Sequence, residues 1–380
     1  MSAQNRIAPV DGLRTVAALG VLWAHVWVFM GNPTLSVGTI GGVALDLNRA
    51  ASIVGTGVDL FFVISGFCMY LMYARSQERF SWPAFASFVR RRWMRIAPAF
   101  YAAALAAAVG YAVAGHGFPW LDFASHLAFA NILVPGMGAL AAPFWSLATE
   151  WHFYLVLPAF IWAAGRFGFW RTVAACAACT LAFRVWVFPV PPSYVVDWHA
   201  QLPARLIEFI WGTCVARLYL NDTPLPRVLS GWTGFIVAVA IAYLGRVLAM
   251  TAVVKFGGVA APYLKVFSEP VLTLGYALML WNVVSSESVF RRWLSHSIPQ
   301  AVGRWSYSLY LWHWWPAVWI CGWVRGEFGA TAVGQYLAFA TALAVLIPIA
   351  WLSYRLLEAP YFAKRGTDNR DGAIIRAAAQ

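Results

Sequence analysis

Charge is what this sequence has least of. Only 11% of its 380 residues are Asp, Glu, Lys or Arg, less than half of the roughly 25% that a soluble domain uses to coat its surface. That shortage argues against a soluble enzyme, a disordered chain or a nucleic-acid binder, even with a net charge of +12. Other signatures are missing too. The chain has no metal-ligand spacing, no phosphate-binding or dinucleotide glycine motif and no internal repeat. A cleavable signal peptide is not expected, because the first apolar run is long, carries a histidine and lacks a small-x-small cleavage site. The five cysteines all fall in apolar runs, and Cys176 and Cys179 sit in the Ala-rich stretch AACAACT, where cysteine reads as a small packing residue.

What the chain has in place of charge is apolar and aromatic surface. Hydrophobic residues make up 61%, with 22 Trp, 26 Phe and 15 Tyr, and the mean hydropathy is +0.66. This composition suits a polytopic membrane protein with aromatic belts at the two interfaces. Ten apolar segments are read as spans: 11–30, 52–74, 96–115, 144–165, 168–189, 203–220, 232–250, 264–285, 302–324 and 331–356. At about 20 residues per crossing they consume about 200 residues, which leaves no room for a large soluble domain. Segment 120–135 is short and contains Asp122, His126 and Asn131, so it is read as interfacial or re-entrant. The expected fold is therefore all-α: a membrane helix bundle over 1–365, followed by a mobile cytoplasmic tail at 366–380.

An even number of spans puts both ends on one side. With the N-terminus inside, only Arg49, Arg246, Lys255, Lys265 and Arg325 face outward, and Arg14, Arg184 and Arg205 fall within spans. The other 19 of the 27 basic residues lie inside. The positive-inside bias thus predicts N-in and C-in, and the high isoelectric point is a topology signal.

Ionisable groups inside a span are costly, so each is a candidate for function. Asp11, Arg14 and His25 share one stripe of the first helix, with Arg14 and His25 about 16 Å apart along its axis. The fourth span places Ser146, Glu150 and Tyr154 on one face, and the ninth places Ser306, Tyr310 and His313 on one stripe. Glu150 is expected to meet Arg14 or His25. The plainer alternative at each position is inter-helix glue: a histidine on a backbone carbonyl, a glutamate locking two helices, a polar-aromatic seam. Arg205 and Glu208 read as a local pair, and Asp59 as a structural partner for a neighbouring helix. Arg90, Arg91, Arg92 and Arg95 form a basic cluster suited either to anionic lipid headgroups or to the phosphates of a soluble ligand.

Taken in order, these motifs resemble the acyltransferase-3 family of integral membrane acyltransferases. Asp11-Gly-Leu-Arg14 with His25 is similar to its first-helix signature, and the run from Gly57-Val-Asp59 through Ser65-Gly-Phe to its second. Arg91-Arg92 with Arg95-Ile-Ala-Pro98 resembles its basic motif, and Trp145-Ser-Leu-Ala-Thr-Glu150 with Phe153-Tyr154 its fourth helix. Arg205, Glu208 and Gly212 match the sixth, Gly303 through Ser306, Tyr310 and His313 a late helix, and Glu358-Ala-Pro360 the end. The family's usual Glu-Glu-Gln is Glu150-Trp151-His152 here, so only the first carboxylate is carried over.

The resemblance implies a stand-alone membrane enzyme of the cell inner membrane. Its donor would be cytoplasmic acyl-CoA, usually acetyl-CoA, used as a co-substrate with no permanently bound cofactor and no metal. The acceptor would be a hydroxyl of an extracytoplasmic or lipid-linked glycan or glycoside. Arg14, with Arg91, Arg92 or Arg95, would hold the phosphates. His25 would be the base or carry the acyl group, and Glu150 would orient it. Ser306, Tyr310 or His313 would bind substrate or the oxyanion. A proton-coupled transporter or flippase of envelope glycan precursors, with a His/Glu relay, is the competing class, and a structural partner of a glycan assembly system a third. The topology is directly testable: a single cysteine near residue 226 should be shielded from a membrane-impermeant thiol reagent in intact cells, and one near residue 330 should be labelled. The reverse pattern contradicts N-in.

Overall fold

A computed structural model describes residues 7–40, 43–76, 81–134, 140–187, 198–251 and 264–362. Helices dominate it. They are α1 (Ala8–Phe29), α2 (Gly57–Ser76), α3 (Trp82–Tyr111), α4 (Trp120–Leu127), α5 (Trp145–Phe167), α6 (Phe169–Val187) and α7 (Leu202–Leu220). There follow α8 (Gly231–Thr251), α9 (Ser268–Ser285), α10 (Val289–Leu294), α11 (Ser297–Trp312), α12 (Trp314–Phe328) and α13 (Ala332–Ser353). Six stretches among the described residues are long and apolar enough to cross a membrane: Ala8–Phe29, Ile53–Ala74, Trp82–His116, Gly231–Ala249, Leu264–Ser285 and Ala332–Phe362. Large apolar side chains stand open on the outer faces, Ile236 on α8 and Trp319 on α12 among them. Lipid is the solvent that tolerates this. The tail at 366–380, with Arg370 and Arg376, lies outside the described residues, as do Arg6 and Arg79.

Three features depart from the sequence expectation. The ninth segment, 302–324, is not one helix: α11 stops at Trp312 and α12 begins at Trp314. Pro316 is the physical reason, because it has no N–H for the Trp312 carbonyl and its ring crowds that carbonyl. The Arg90–Arg95 cluster lies on helix, since α3 starts at Trp82, its first turn capped by the Ser81 hydroxyl accepting from the Ala84 N–H. The 30 residues of α3 rise about 45 Å, more than the roughly 30 Å hydrocarbon core, so the cluster extends past it. Finally, a two-stranded antiparallel hairpin, β1 (Ser36–Ile40) and β2 (Val43–Asp46), follows α1. Asn48 ties the base of this hairpin down, donating to the Pro33 carbonyl and to Gln335 Oε1 of α13, each at 2.8 Å.

The segment with Asp122 and His126 forms the eight-residue α4, about 12 Å long and far too short to cross a bilayer. His126 is fully buried, with Nδ1 2.8 Å from the Asp122 carbonyl and 3.2 Å from its carboxylate.

Buried charge is matched by buried counter-charge. Arg205 of α7 binds Asp59 of α2 at 2.8 Å and Glu208 at 2.9 Å, so Asp59 is the structural partner expected and the local pair is part of a larger group. Arg184 of α6, fully buried, donates to the carbonyls of Val266, Ala204 and Lys265 and to the Glu269 carboxylate. Together these bonds pin α2, α6, α7 and α9 to one another.

Small residues allow the closest helix approaches. A Cβ built on Gly303 of α11 would lie 1.9 Å from the Asp11 carbonyl oxygen of α1. Van der Waals packing through such small residues is the main adhesive between helices in lipid. Gly303→Ala must push α1 and α11 apart, at a cost of about 1–3 kcal/mol. The expected result is a lowered midpoint of thermal unfolding in detergent; an unchanged midpoint contradicts the packing described.

Candidate active site

The sequence places arginines on three different helices, and the bundle brings them to one cavity. Arg14 of α1, Arg92 and Arg95 of α3 and Arg304 of α11 all line it, with Tyr354, Tyr361 and Phe362 from the end of the chain's last helical stretch. Its volume is about 160 Å³. Asp11 and Glu150 are the acidic groups on its wall, so cations outnumber anions there. Apolar side chains such as Phe61, Phe62, Phe67 and Met69 form much of the remainder. One cavity thus joins a cationic end to an oily lining.

Arg14 is held from two sides. Its Nη1 donates to Asp11 Oδ1 at 2.8 Å, one turn back on the same helix, and its Nη2 lies 3.4 Å from the Cys68 sulfur of α2. The Arg95 guanidinium stacks over the Phe362 ring, 4.8 Å from its centroid. Arg91 is different: it does not line the cavity, and its guanidinium bonds the Ser87 hydroxyl on the helix surface. The basic cluster is therefore divided, with Arg92 and Arg95 on the cavity wall and Arg91, one turn before Arg95, off it.

The expected α5 face is assembled as the i, i+4, i+8 spacing requires, and Ser146, Glu150 and Tyr154 all line the cavity. The partners of Glu150 are not the expected ones. Its Oε1 accepts from the Ser65 hydroxyl of α2 at 2.5 Å and from the Tyr154 phenol at 2.5 Å. It has no hydrogen bond to His25 or to Arg14. The geometry is that of a carboxylate fixed by two hydroxyls in the cavity wall.

The Ser306–Tyr310–His313 stripe is likewise divided. Ser306 and Tyr310 line the cavity, whereas His313, one turn beyond Tyr310, does not. Ser306 spends its proton on the Gly303 carbonyl at 2.8 Å. The Tyr310 phenol donates to the Pro143 carbonyl at 2.6 Å and lies 2.7 Å from the Ser146 hydroxyl, so α11 and the start of α5 close the cavity between them. His313 is 1% exposed and turns instead to α1, where its Nε2 is 3.0 Å from His25 Nδ1. The two imidazoles stack with centroids 5.0 Å apart, and Trp314 meets His25 edge-on at 5.1 Å. His25 is not on the cavity wall either; it is linked to it through His313, whose ring lies 5.5 Å from that of the cavity-lining Tyr310.

Sequence patterning missed Arg304, Cys68, Tyr354, Tyr361 and Phe362 as cavity residues. Arg304 carries the one signal that was available: it lies two residues before Ser306, in the same motif. Nothing local marks the others.

A cationic cavity closed by a tyrosine, with two histidines behind it, is the arrangement against which the comparisons stand. The acyltransferase-3 family model, described as an acyltransferase domain, matches residues 7–355. The chain belongs to the acyltransferase-3 family. It is also 25% identical over 383 residues to Acyltransferase MdmB of Streptomyces mycarofaciens, a match that covers 93% of this chain and 91% of the relative. No solved structure matches it. Family membership makes the protein a membrane acyltransferase, and every cavity residue named above except Tyr361 and Phe362 lies within the matched range.

The inward and outward arginines make a contrast that experiment can read. Arg92→Ala or Arg95→Ala should weaken the binding of coenzyme A, used as a polyanionic probe, by about tenfold, the loss of one charge-assisted bond. Arg91→Ala should leave it within about twofold. A titration in which only Arg91→Ala matters contradicts the assignment of the cavity.

Proposed function

We propose that the protein moves an acyl group, acetyl in the simplest case, from cytoplasmic acyl-CoA to a hydroxyl of an extracytoplasmic or lipid-linked glycan or glycoside. It would act in the cell inner membrane, with both termini inside. Acyl-CoA would be a co-substrate and not a resident cofactor. The observation that carries this reading is the cavity itself. Four arginines at one end suit the phosphates of a nucleotide-tailed donor, and the apolar lining beyond them suits a pantetheine arm. His25 lies about 16 Å from Arg14 by helix rise, about the reach of that arm.

In the reaction, the acceptor oxygen attacks the thioester carbonyl carbon. A C–O bond forms, the C–S bond breaks, and the hydroxyl proton goes to His25 and then to the leaving thiolate. Arg14, Arg92, Arg95 and Arg304 hold the donor; Arg91 is too far out on its helix to share the task. Glu150, bonded to Ser65 and Tyr154, shapes the wall beside the thioester and does not orient the imidazole. Tyr310 closes the end of the cavity, so its side chain must shift, or the acyl carbonyl must pass its edge, before the carbonyl meets His25. The freed phenol of Tyr310 is then a donor for the oxyanion. Family membership supports this enzyme over the transporter reading.

The test uses membranes, labelled acetyl-CoA and a glycan extract. Wild-type protein should transfer label to the acceptor, and His25→Ala, at equal protein level, should lose at least about 100-fold, the usual worth of a general base. Full transfer by His25→Ala contradicts the mechanism.

A further inference from the structure

We infer that His313 is the positioning residue for His25, fixing its tautomer through a relay anchored on the backbone carbonyl of Tyr310. The inference rests on the reading of His25 as the base. The relay starts at an atom that can only accept. The Tyr310 carbonyl oxygen is 2.5 Å from His313 Nδ1, so that nitrogen carries the proton. His313 is buried, and among the described residues neither imidazole has a carboxylate partner. A neutral ring that donates at Nδ1 accepts at Nε2. His25 Nδ1, 3.0 Å from that Nε2, is therefore the donor of the second bond. Its own Nε2 is left with a free lone pair, the form a general base needs.

The helix break supplies the anchor. In an unbroken helix the Tyr310 carbonyl would accept from the Trp314 N–H. Pro316 ends α11 at Trp312, α12 restarts at Trp314, and the carbonyl is left for the imidazole three residues on. Trp314 and Phe29, with ring centroids 5.0 Å apart, wall the His25 ring in. The same residue thus closes the donor cavity with its phenol and anchors the relay with its carbonyl. A neutral imidazole, where a carboxylate would serve in a Ser-His-Asp arrangement, orients the base without adding a charge to the membrane interior.

The direct test is ¹⁵N NMR of the histidine side chains in purified full-length protein, with the His25 signals assigned by their loss in His25→Ala. Wild-type His25 should be protonated at Nδ1 and free at Nε2. In His313→Phe that preference should relax. kcat should then fall about 100-fold, with KM for the donor within about twofold, because His313 lies off the cavity. His313→Gln, whose oxygen can accept from His25 while its amide donates to the Tyr310 carbonyl, should recover kcat to within about tenfold of wild type. A wild-type His25 protonated at Nε2, a His25 tautomer unchanged in His313→Phe, or wild-type kcat in His313→Phe alongside an inactive His25→Ala enzyme, overturns the relay. The two readings fail separately. An active His25→Ala enzyme with the stated wild-type tautomer sinks the catalytic role and leaves the relay standing; the opposite tautomer with a dead His25→Ala enzyme does the reverse.

Discussion

The contact on which the site depends is the seam between α1 and α11. Gly303 lets the backbone of α11 reach the Asp11 carbonyl, and the Thr15 hydroxyl bonds the Pro299 carbonyl at 2.5 Å. Each helix carries an arginine toward its start and a histidine toward its end: Arg14 and His25 on one, Arg304 and, just past the break, His313 on the other. Once the backbones touch at Gly303, the two arginines share a cavity and the two histidines share a hydrogen bond. A bulkier residue at the seam would separate both pairs together. The chemistry and the packing are thus set by the same few atoms.

The bundle handles charge by sorting it. Structural charges are paired tightly: Arg205 with Asp59 and Glu208, Arg184 with Glu269 and three carbonyls. Such pairing sets each charge against a counter-charge in a medium where an unpaired charge is costly, with Glu208 Oε2 left without a hydrogen bond. The cavity arginines, by contrast, outnumber the acids on its wall. That imbalance is what a polyanionic donor would neutralise. Among the described residues the histidine pair has no ionic partner, which would suit the proposed role of passing a proton and returning to neutrality.

Much of this could be read in the sequence, and the rest could not, for definite reasons. Helical spacing was enough to put Arg14 and His25 on one stripe of α1 and Ser146, Glu150 and Tyr154 on one face of α5, because period is a local property. It also marked 120–135 as a non-spanning segment from its length and polarity. Partner choice is not local. Glu150 met Ser65 and Tyr154 because α2 packs beside α5, which no spacing within α5 encodes. Treating 302–324 as one helix hid the interruption after Trp312, which was written in Pro316, a breaker inside an apolar run. The hairpin at 36–46 and the aromatic residues at 354–362 reached their places through contacts with distant parts of the chain. The family resemblance, carried by seven motifs in order, was the expectation the comparison bore out most fully.

The central claim is that one cavity holds a donor by its arginines with the acyl group beside Tyr310, next to the histidine pair. A structure of the intact protein in lipid, with a non-transferable acyl-CoA analogue bound, tests it most directly. The account predicts phosphates among Arg14, Arg92, Arg95 and Arg304, and the acyl carbonyl beside Tyr310 on the side facing the histidine pair. An analogue seated on the outer face of α3 at Arg91, or with its acyl end directed away from Tyr310, would contradict it.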